Sequence, residues 1–176
     1  MTFNETELPG VWLITPEAHG DRRGFFMRIF DEKELKEHGI DFSVVQANRS
    51  MSGTKGTVRG MHYQADPHGE GKIIQCVRGK VFDVAVDVRK DSPTYLKWFG
   101  TELSDENNNM FYIPTGFAHG FQTLSDDAEL LYFMSSEYVP EAATGVRYND
   151  PVIGIEWPME PKELSERDQE WPLLEV

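Results

Sequence analysis

Two short segments concentrate side chains that could move a proton or hold an anion. The first is Val58-Arg59-Gly60-Met61-His62-Tyr63-Gln64, followed by His68, Glu70 and Lys72. An imidazole titrates near neutrality, so His62 could act as a general base. An ammonium such as Lys72, aimed at developing negative charge, stabilises an oxyanion. An exposed edge strand with incidental polar residues would carry the same letters, and its alternation would put Arg59 and Met61 on one face and His62 and Gln64 on the other. The second segment is Ile113-Pro114-Thr115-Gly116-Phe117-Ala118-His119-Gly120-Phe121. Its Pro-x-Gly-x-x-His spacing puts a turn before a strand that starts with His119. An ordinary β-turn with one satisfied histidine would read the same way.

Other candidates are scattered. Tyr132 and Tyr138 fall in or near the run Leu130-Leu131-Tyr132-Phe133-Met134, where a phenol could return a proton or simply fill core or rim. Ser165-x-x-Asp168 has the spacing of a helix capping box. Arg22-Arg23-Gly24 is a short basic turn, and a guanidinium fork matches phosphate oxygens. Gln46-Ala47-Asn48 offers amide donors and acceptors, to a turn or to a ligand. Asn107-Asn108-Asn109 reads as a polar turn.

The elements that must carry these residues are mostly strands. Val11 to Ile14, Phe25 to Phe30, Tyr95 to Leu103, Asn109 to Ile113, Gly120 to Leu124 and Glu129 to Tyr138 are β-rich runs bounded by Gly, Pro, Asn and Asp. Lys72 to Val77 and Val81 to Val88 read as a hairpin closed by Arg78-Gly79-Lys80. Alternation places Lys72, Ile74 and Cys76 on one face, and Val81, Asp83, Ala85 and Asp87 on one face of the next strand. One helix is expected from Asp31 to His38, with Asp31 as cap and Gly39 as stop. A helical turn is expected at Ser165 to Asp168. Many short strands at this spacing argue for an antiparallel sandwich or barrel in one domain, residues 1–176.

Composition narrows the function. The chain has 176 residues, 17 basic against 30 acidic, for a formal net charge of −13. Such a chain is a poor candidate for nucleic-acid or anionic-membrane binding, so an anionic ligand must meet a local basic cluster. The single cysteine, Cys76, sits in an apolar run and reads as a buried thiol. No apolar run is long enough to span a membrane, and the N-terminal residues lack a signal-peptide pattern. A cytoplasmic protein is expected.

The Pro-x-Gly-x-x-His pattern matches the second of two motifs that mark cupin barrels, whose histidine often binds a metal. The first motif supplies His-x-His and then a carboxylate. This chain has His62-Tyr63-Gln64, and His68 and Glu70 are wrongly spaced for convergent ligands. The expectation is a cupin-type jelly-roll β-barrel, all-β with short peripheral helices and a metal-free pocket.

Over nearly the whole chain these pieces, in this order, resemble the dTDP-4-dehydrorhamnose 3,5-epimerase family of deoxysugar biosynthesis. The resemblance rests on Asp21 to Phe26, Gln46-Ala47-Asn48, Val58 to Gln64, Lys72, Val81 to Arg89, Asp91 to Thr94, Leu103-Ser104, Ile113 to Phe121, Tyr132, Tyr138, Asn149-Asp150, Ile155 to Pro158 and Leu164 to Asp168. It implies a homodimeric jelly roll acting on a nucleotide-linked 4-keto-6-deoxyhexose, a dTDP-hexose, without metal or organic cofactor. By resemblance, His62 is the base, Asp168 orients it and Tyr132 is the acid. Lys72, Arg59 and His119 fall on positions that hold the sugar, and the ammonium of Lys72 is chemically suited to the oxyanion. Arg23, Gln46 and Asn48 lie nearer the nucleotide and phosphates, and Tyr138 joins the substrate-binding set. Arg28 and Ala143 stand where the family usually has glutamate, and Phe133 where it usually has lysine. Competing readings are a metal-dependent cupin enzyme, a sugar-binding module without catalysis, and an epimerase acting at one carbon.

Overall fold

A computed structural model describes residues 1–174. In chain order the elements are β1 (Thr2–Glu5), β2 (Trp12–Thr15), β3 (Ala18–Asp21), β4 (Gly24–Met27), α1 (Glu32–Glu37), β5 (Gln46–Ser52), β6 (Val58–Gln64), β7 (Lys72–Arg78), β8 (Lys80–Asp87), β9 (Trp98–Ser104), β10 (Met110–Ile113), β11 (Phe117–Thr123), β12 (Ala128–Met134), β13 (Ala143–Gly145) and α2 (Glu166–Glu170). Six strands form one sheet, ordered β1-β2-β10-β7-β12-β5. Five form a second, ordered β13-β6-β11-β8-β9, and β3 and β4 make a separate hairpin. The result is an all-β jelly roll of cupin type with two short peripheral helices.

The period-two alternation of each strand decides what it buries. Ile74, Cys76, Phe111 and Leu130 from the first sheet meet Val81, Ala85, Leu103, Phe117 and Phe121 from the second in one core between the sheets. The opposite faces are covered separately. Ile73, Met110 and Tyr112 pack under Leu35 of α1 with Ile40 and Phe42, whereas Met61, Val84, Val86 and Ala118 pack under Val146 and Ile153. Helix α1 starts where expected: the Asp31 carboxylate accepts from the Lys33 and Glu34 amides, and Gly39 follows at φ +76°.

One expectation needs correction. β7 and β8 do not form a hairpin. β7 pairs with β10 and β12, and β8 pairs with β11 and β9. The Arg78-Gly79-Lys80 corner carries the chain from one sheet to the other, and a Cβ on Gly79 would lie 2.3 Å from Ser125 Oγ. Gln46-Ala47-Asn48, open between a turn and a ligand contact in the sequence, lies in the edge strand β5, opposite Phe133 and its neighbours on β12.

Strict alternation also fails on β6. The register against β11 runs His119↔His62 and then Phe121↔Arg59, so two steps on β11 match three on β6. This bulge brings Arg59 back to the face that His62 occupies, as bulges re-aim side chains. Glycine makes the close approach feasible. A Cβ on Gly60 (φ +122°) would lie 2.5 Å from Gly120 Cα, and one on Gly120 would lie 2.5 Å from Met61 Sδ.

Candidate active site

The space between the sheets that apolar residues leave unfilled is a cavity of about 250 Å³. Its lining comes from both sheets: Asn48 and Ser50 on β5, Lys72 on β7 and Tyr132 and Met134 on β12, against Arg59 and His62 on β6 and His119 and Phe121 on β11. His62 and Tyr132 thus stand on facing walls. Of the ten residues singled out from sequence, Asn48, Arg59, His62, Lys72, His119 and Tyr132 share this cavity.

Asp168 reaches His62 from behind. Its carboxylate lies 2.5 Å from His62 Nε2 and also accepts the Gly60 amide at 3.3 Å. The short helix α2 delivers it: Ser165 caps that helix through the Asp168 amide. Burial pushes the Asp168 carboxyl up, but bonds from His62, Gly60 and Ser165 together outweigh it and hold the group below the ordinary carboxylate value. With Nε2 engaged, Nδ1 is the nitrogen that His62 has free.

Tyr132 lies in the opposite wall, its hydroxyl 3.2 Å from Ser50 Oγ. Burial raises its pKa strongly, with the Ser50 bond opposing in small part. The phenol therefore keeps its proton throughout the neutral range. His119 packs edge-on against the Tyr132 ring at 6.1 Å and presents Nε2 to Asp83 at 2.8 Å. Asp83 is wholly buried, and desolvation raises its pKa against the pull of His119 and Lys72. Lys72 Nζ donates to the His62 carbonyl oxygen at 3.2 Å. Arg59 spans to the other sheet by donating to the Met51 carbonyl.

A second cavity of about 490 Å³ adjoins the first, with His62 and Arg59 in both linings. Asp168, Arg167, Ser165 and Thr57 complete much of its wall. Arg167 was not among the sequence candidates, although it precedes Asp168; it adds a second guanidinium, beside Arg59, to this cavity. Asp83, Glu70 and Ser50 were also missed as parts of the site. Asp83 and Ser50 fall on the inward parity of their strands, a signal readable only once the barrel is known.

Besides Asp168, three expected residues lie outside the first cavity. Gln46 Oε1 accepts the Tyr138 amide at 2.6 Å, and Gln46 sits opposite Met134 of the cavity lining, so this pair flanks the opening. Arg23 is on the turn of the β3–β4 hairpin, forked onto Asp21, beside Phe25 and Phe26, which are 65% and 71% exposed. Of the departures, Arg28 pairs with Asp31 at 2.7 Å, Phe133 packs on Phe30, and Ala143 lies opposite Gln64.

Among the described residues, no three His, Cys, Asp or Glu side chains are grouped to hold a metal ion. The two imidazoles of the cavity commit Nε2 to carboxylates and share the space with Lys72 and Arg59, which does not fit the three or four convergent ligands of a zinc or iron centre. No helix among the described residues is long and apolar enough to cross a membrane.

A family model described as dTDP-4-dehydrorhamnose 3,5-epimerase matches residues 5–175. The dTDP-4-dehydrorhamnose 3,5-epimerase of Sinorhizobium fredii is 46% identical over 175 residues, covering 99% of this chain and 90% of that protein. The crystal structure of the corresponding Bacillus anthracis protein, with TDP and PPi bound, superposes with a TM-score of 0.95 at 40% identity, covering 98% of this chain and 99% of that one. The Legionella pneumophila protein in complex with dTDP-4-keto-L-rhamnose gives a TM-score of 0.90 at 43% identity, covering 95% and 89%.

Proposed function

The chain belongs to the dTDP-4-dehydrorhamnose 3,5-epimerase family, and from that premise we propose how its cavity works. The enzyme is an isomerase of deoxysugar biosynthesis. It epimerises a dTDP-linked 4-keto-6-deoxyhexose next to the C4 ketone.

The reaction needs a base for the α-proton, an electrophile for the enolate oxygen and an acid that returns a proton to the other face. His62 removes the proton through Nδ1. Asp168 on Nε2 fixes the tautomer and stabilises the imidazolium that forms. Lys72 meets the developing oxyanion with a fixed charge already in place. Tyr132 delivers a proton from the facing sheet, so the carbon inverts. Arg59 and His119 hold the sugar. The observation that carries this reading is the placement of His62 and Tyr132 on opposite walls of one sugar-sized cavity, with Asp168 behind the imidazole.

The diphosphate extends into the adjoining cavity along Arg59 and Arg167, whose forks suit phosphate oxygens. Asn48, Gln46 and Tyr138 receive the rest of the nucleotide at the opening. Arg23 serves a second copy of the chain: the β3–β4 hairpin carries two exposed phenylalanines and lines neither cavity of its own chain, and a homodimer would bring it over the partner's.

The test is incubation with dTDP-4-keto-6-deoxyglucose in D₂O, followed at C3 and C5 by NMR. Deuterium at both carbons, lost in His62→Ala, is the expected result. Deuterium at one carbon makes this a single-centre epimerase. None with any nucleotide-linked ketosugar ends the reading, and stoichiometric iron, manganese or zinc in the purified protein would favour a metal-dependent enzyme.

A further inference from the structure

Lys72 and Glu70 form an ion pair at 3.0 Å, with side chains only 7% and 10% exposed. An ammonium has three N–H donors. One is taken by the His62 carbonyl oxygen and one faces Glu70, which leaves one for the cavity that Lys72 lines. A buried ammonium with no counter-charge gives up its proton in preference to staying ionised. The charged or titratable groups that share its surroundings are Arg59 and His62 from β6, Asp83 from β8, His119 from β11 and Tyr132 from β12. On the β10 side the register partner is Ile113, which carries no charge. Arg59 repels an ammonium, and Asp83 bonds to His119. Glu70 is the carboxylate in direct contact with Nζ.

We propose that Glu70 is the positioning residue of the electrophile: its carboxylate keeps Lys72 charged and fixes the direction of the N–H left for the ketone oxygen. This rests on the epimerase reading above and adds a residue to it. As negative charge develops on the substrate oxygen, the ammonium already stands oriented and needs no reorganisation.

Glu70→Gln keeps the size and an acceptor oxygen but removes the charge. The expected result is an alkaline limb of kcat displaced to lower pH by about one unit or more, with KM changed less than about threefold. Glu70→Asp, which keeps the charge, returns the limb to its wild-type position. A lost packing contact would lower the rate at every pH and leave the limb in place. Independently, the Lys72 ¹⁵Nζ ammonium resonance, identified by its absence in Lys72→Met, should vanish at a lower pH in Glu70→Gln than in the wild-type protein. Superimposable profiles and resonances for Glu70→Gln and wild type overturn the proposal. Should Glu70→Gln not fold, Glu70→Ser is read the same way, and a profile and resonance superimposable on wild type overturn the proposal as well. If the wild-type protein incorporates no deuterium into the ketosugar, the epimerase reading fails instead, and the nitrogen titration, which needs no substrate, still decides the role of Glu70.

Discussion

His62 and His119 are register partners on neighbouring strands, and each gives Nε2 to a buried carboxylate, Asp168 at 2.5 Å and Asp83 at 2.8 Å. Two like rings thus sit side by side with the same nitrogen engaged and the same nitrogen free. Their carboxylates differ in kind. Asp168 collects bonds and is held below the ordinary value, whereas burial drives Asp83 above it. A carboxylate that stays ionised is the better partner for a ring that must accept a proton, which favours His62 over His119 in the proposed role of base.

Asp168→Asn should lower kcat by roughly 10²- to 10⁴-fold with KM changed only a few-fold, because the amide can present a donor to Nε2 and select the wrong tautomer. The same change has a stability signature. Asp168 has a depressed folded pKa, so its contribution is present above the ordinary value of 3.8 and lost as pH falls through the folded value. Wild type should therefore lose more stability than Asp168→Asn between neutral and acid pH, read from urea midpoints across that range. Parallel curves would contradict the linkage.

Tyr132→Phe should keep some deuterium exchange yet lose inversion, since abstraction at His62 survives without the acid. Equal loss of exchange and inversion would argue against a separate acid. Because the Tyr132 pKa lies above its usual 10.0, the phenol is not the source of any activity loss seen below that pH. An alkaline limb lower down must belong to another group.

Gly120→Ala would place a methyl 2.5 Å from Met61 Sδ and 2.7 Å from the Arg59 carbonyl oxygen. Overpacking of this kind costs about 1–3 kcal/mol. Here it also pushes on the bulge that turns Arg59 toward the cavity. The expected result is a lowered urea midpoint together with a raised KM for the nucleotide sugar. Wild-type KM in a folded variant would show that the bulge does not set the Arg59 position.

The cavity residues were legible where chemistry and spacing coincide. Taken singly, His62, Lys72 and Tyr132 read equally well as strand or core residues, and it was their order along the chain, through the family resemblance, that marked a site. Alternation also placed Lys72, Ile74 and Cys76 correctly on one inward face. What spacing could not supply was the third dimension. Parity alone sends Arg59 and His62 to opposite faces, and only the two-against-three register with β11 reunites them. A tight Arg78-Gly79-Lys80 corner looks the same whether it closes a hairpin or crosses between sheets, because the partners of β7 and β8 lie far along the chain. Glu70 was visible beside Lys72, but its contact depends on the path of the β6–β7 loop.

The position of Arg23 makes the last prediction. Its guanidinium is exposed and forked onto Asp21, on a hairpin that lines no part of its own chain's main cavity. If the hairpin completes a partner's site, Arg23→Ala should raise KM with little change in kcat, since the residue meets phosphates and not the reacting carbons. Mixing carries the argument further. Unfolding and co-refolding equal amounts of Arg23→Ala and His62→Ala gives heterodimers in about half the pairs, each with one site bearing both defects and one site bearing neither. Assayed at a substrate concentration where each variant alone is nearly silent, the mixture should recover about a quarter of wild-type activity. If Arg23 serves its own chain, every heterodimer site keeps one defect and the mixture stays as low as its components.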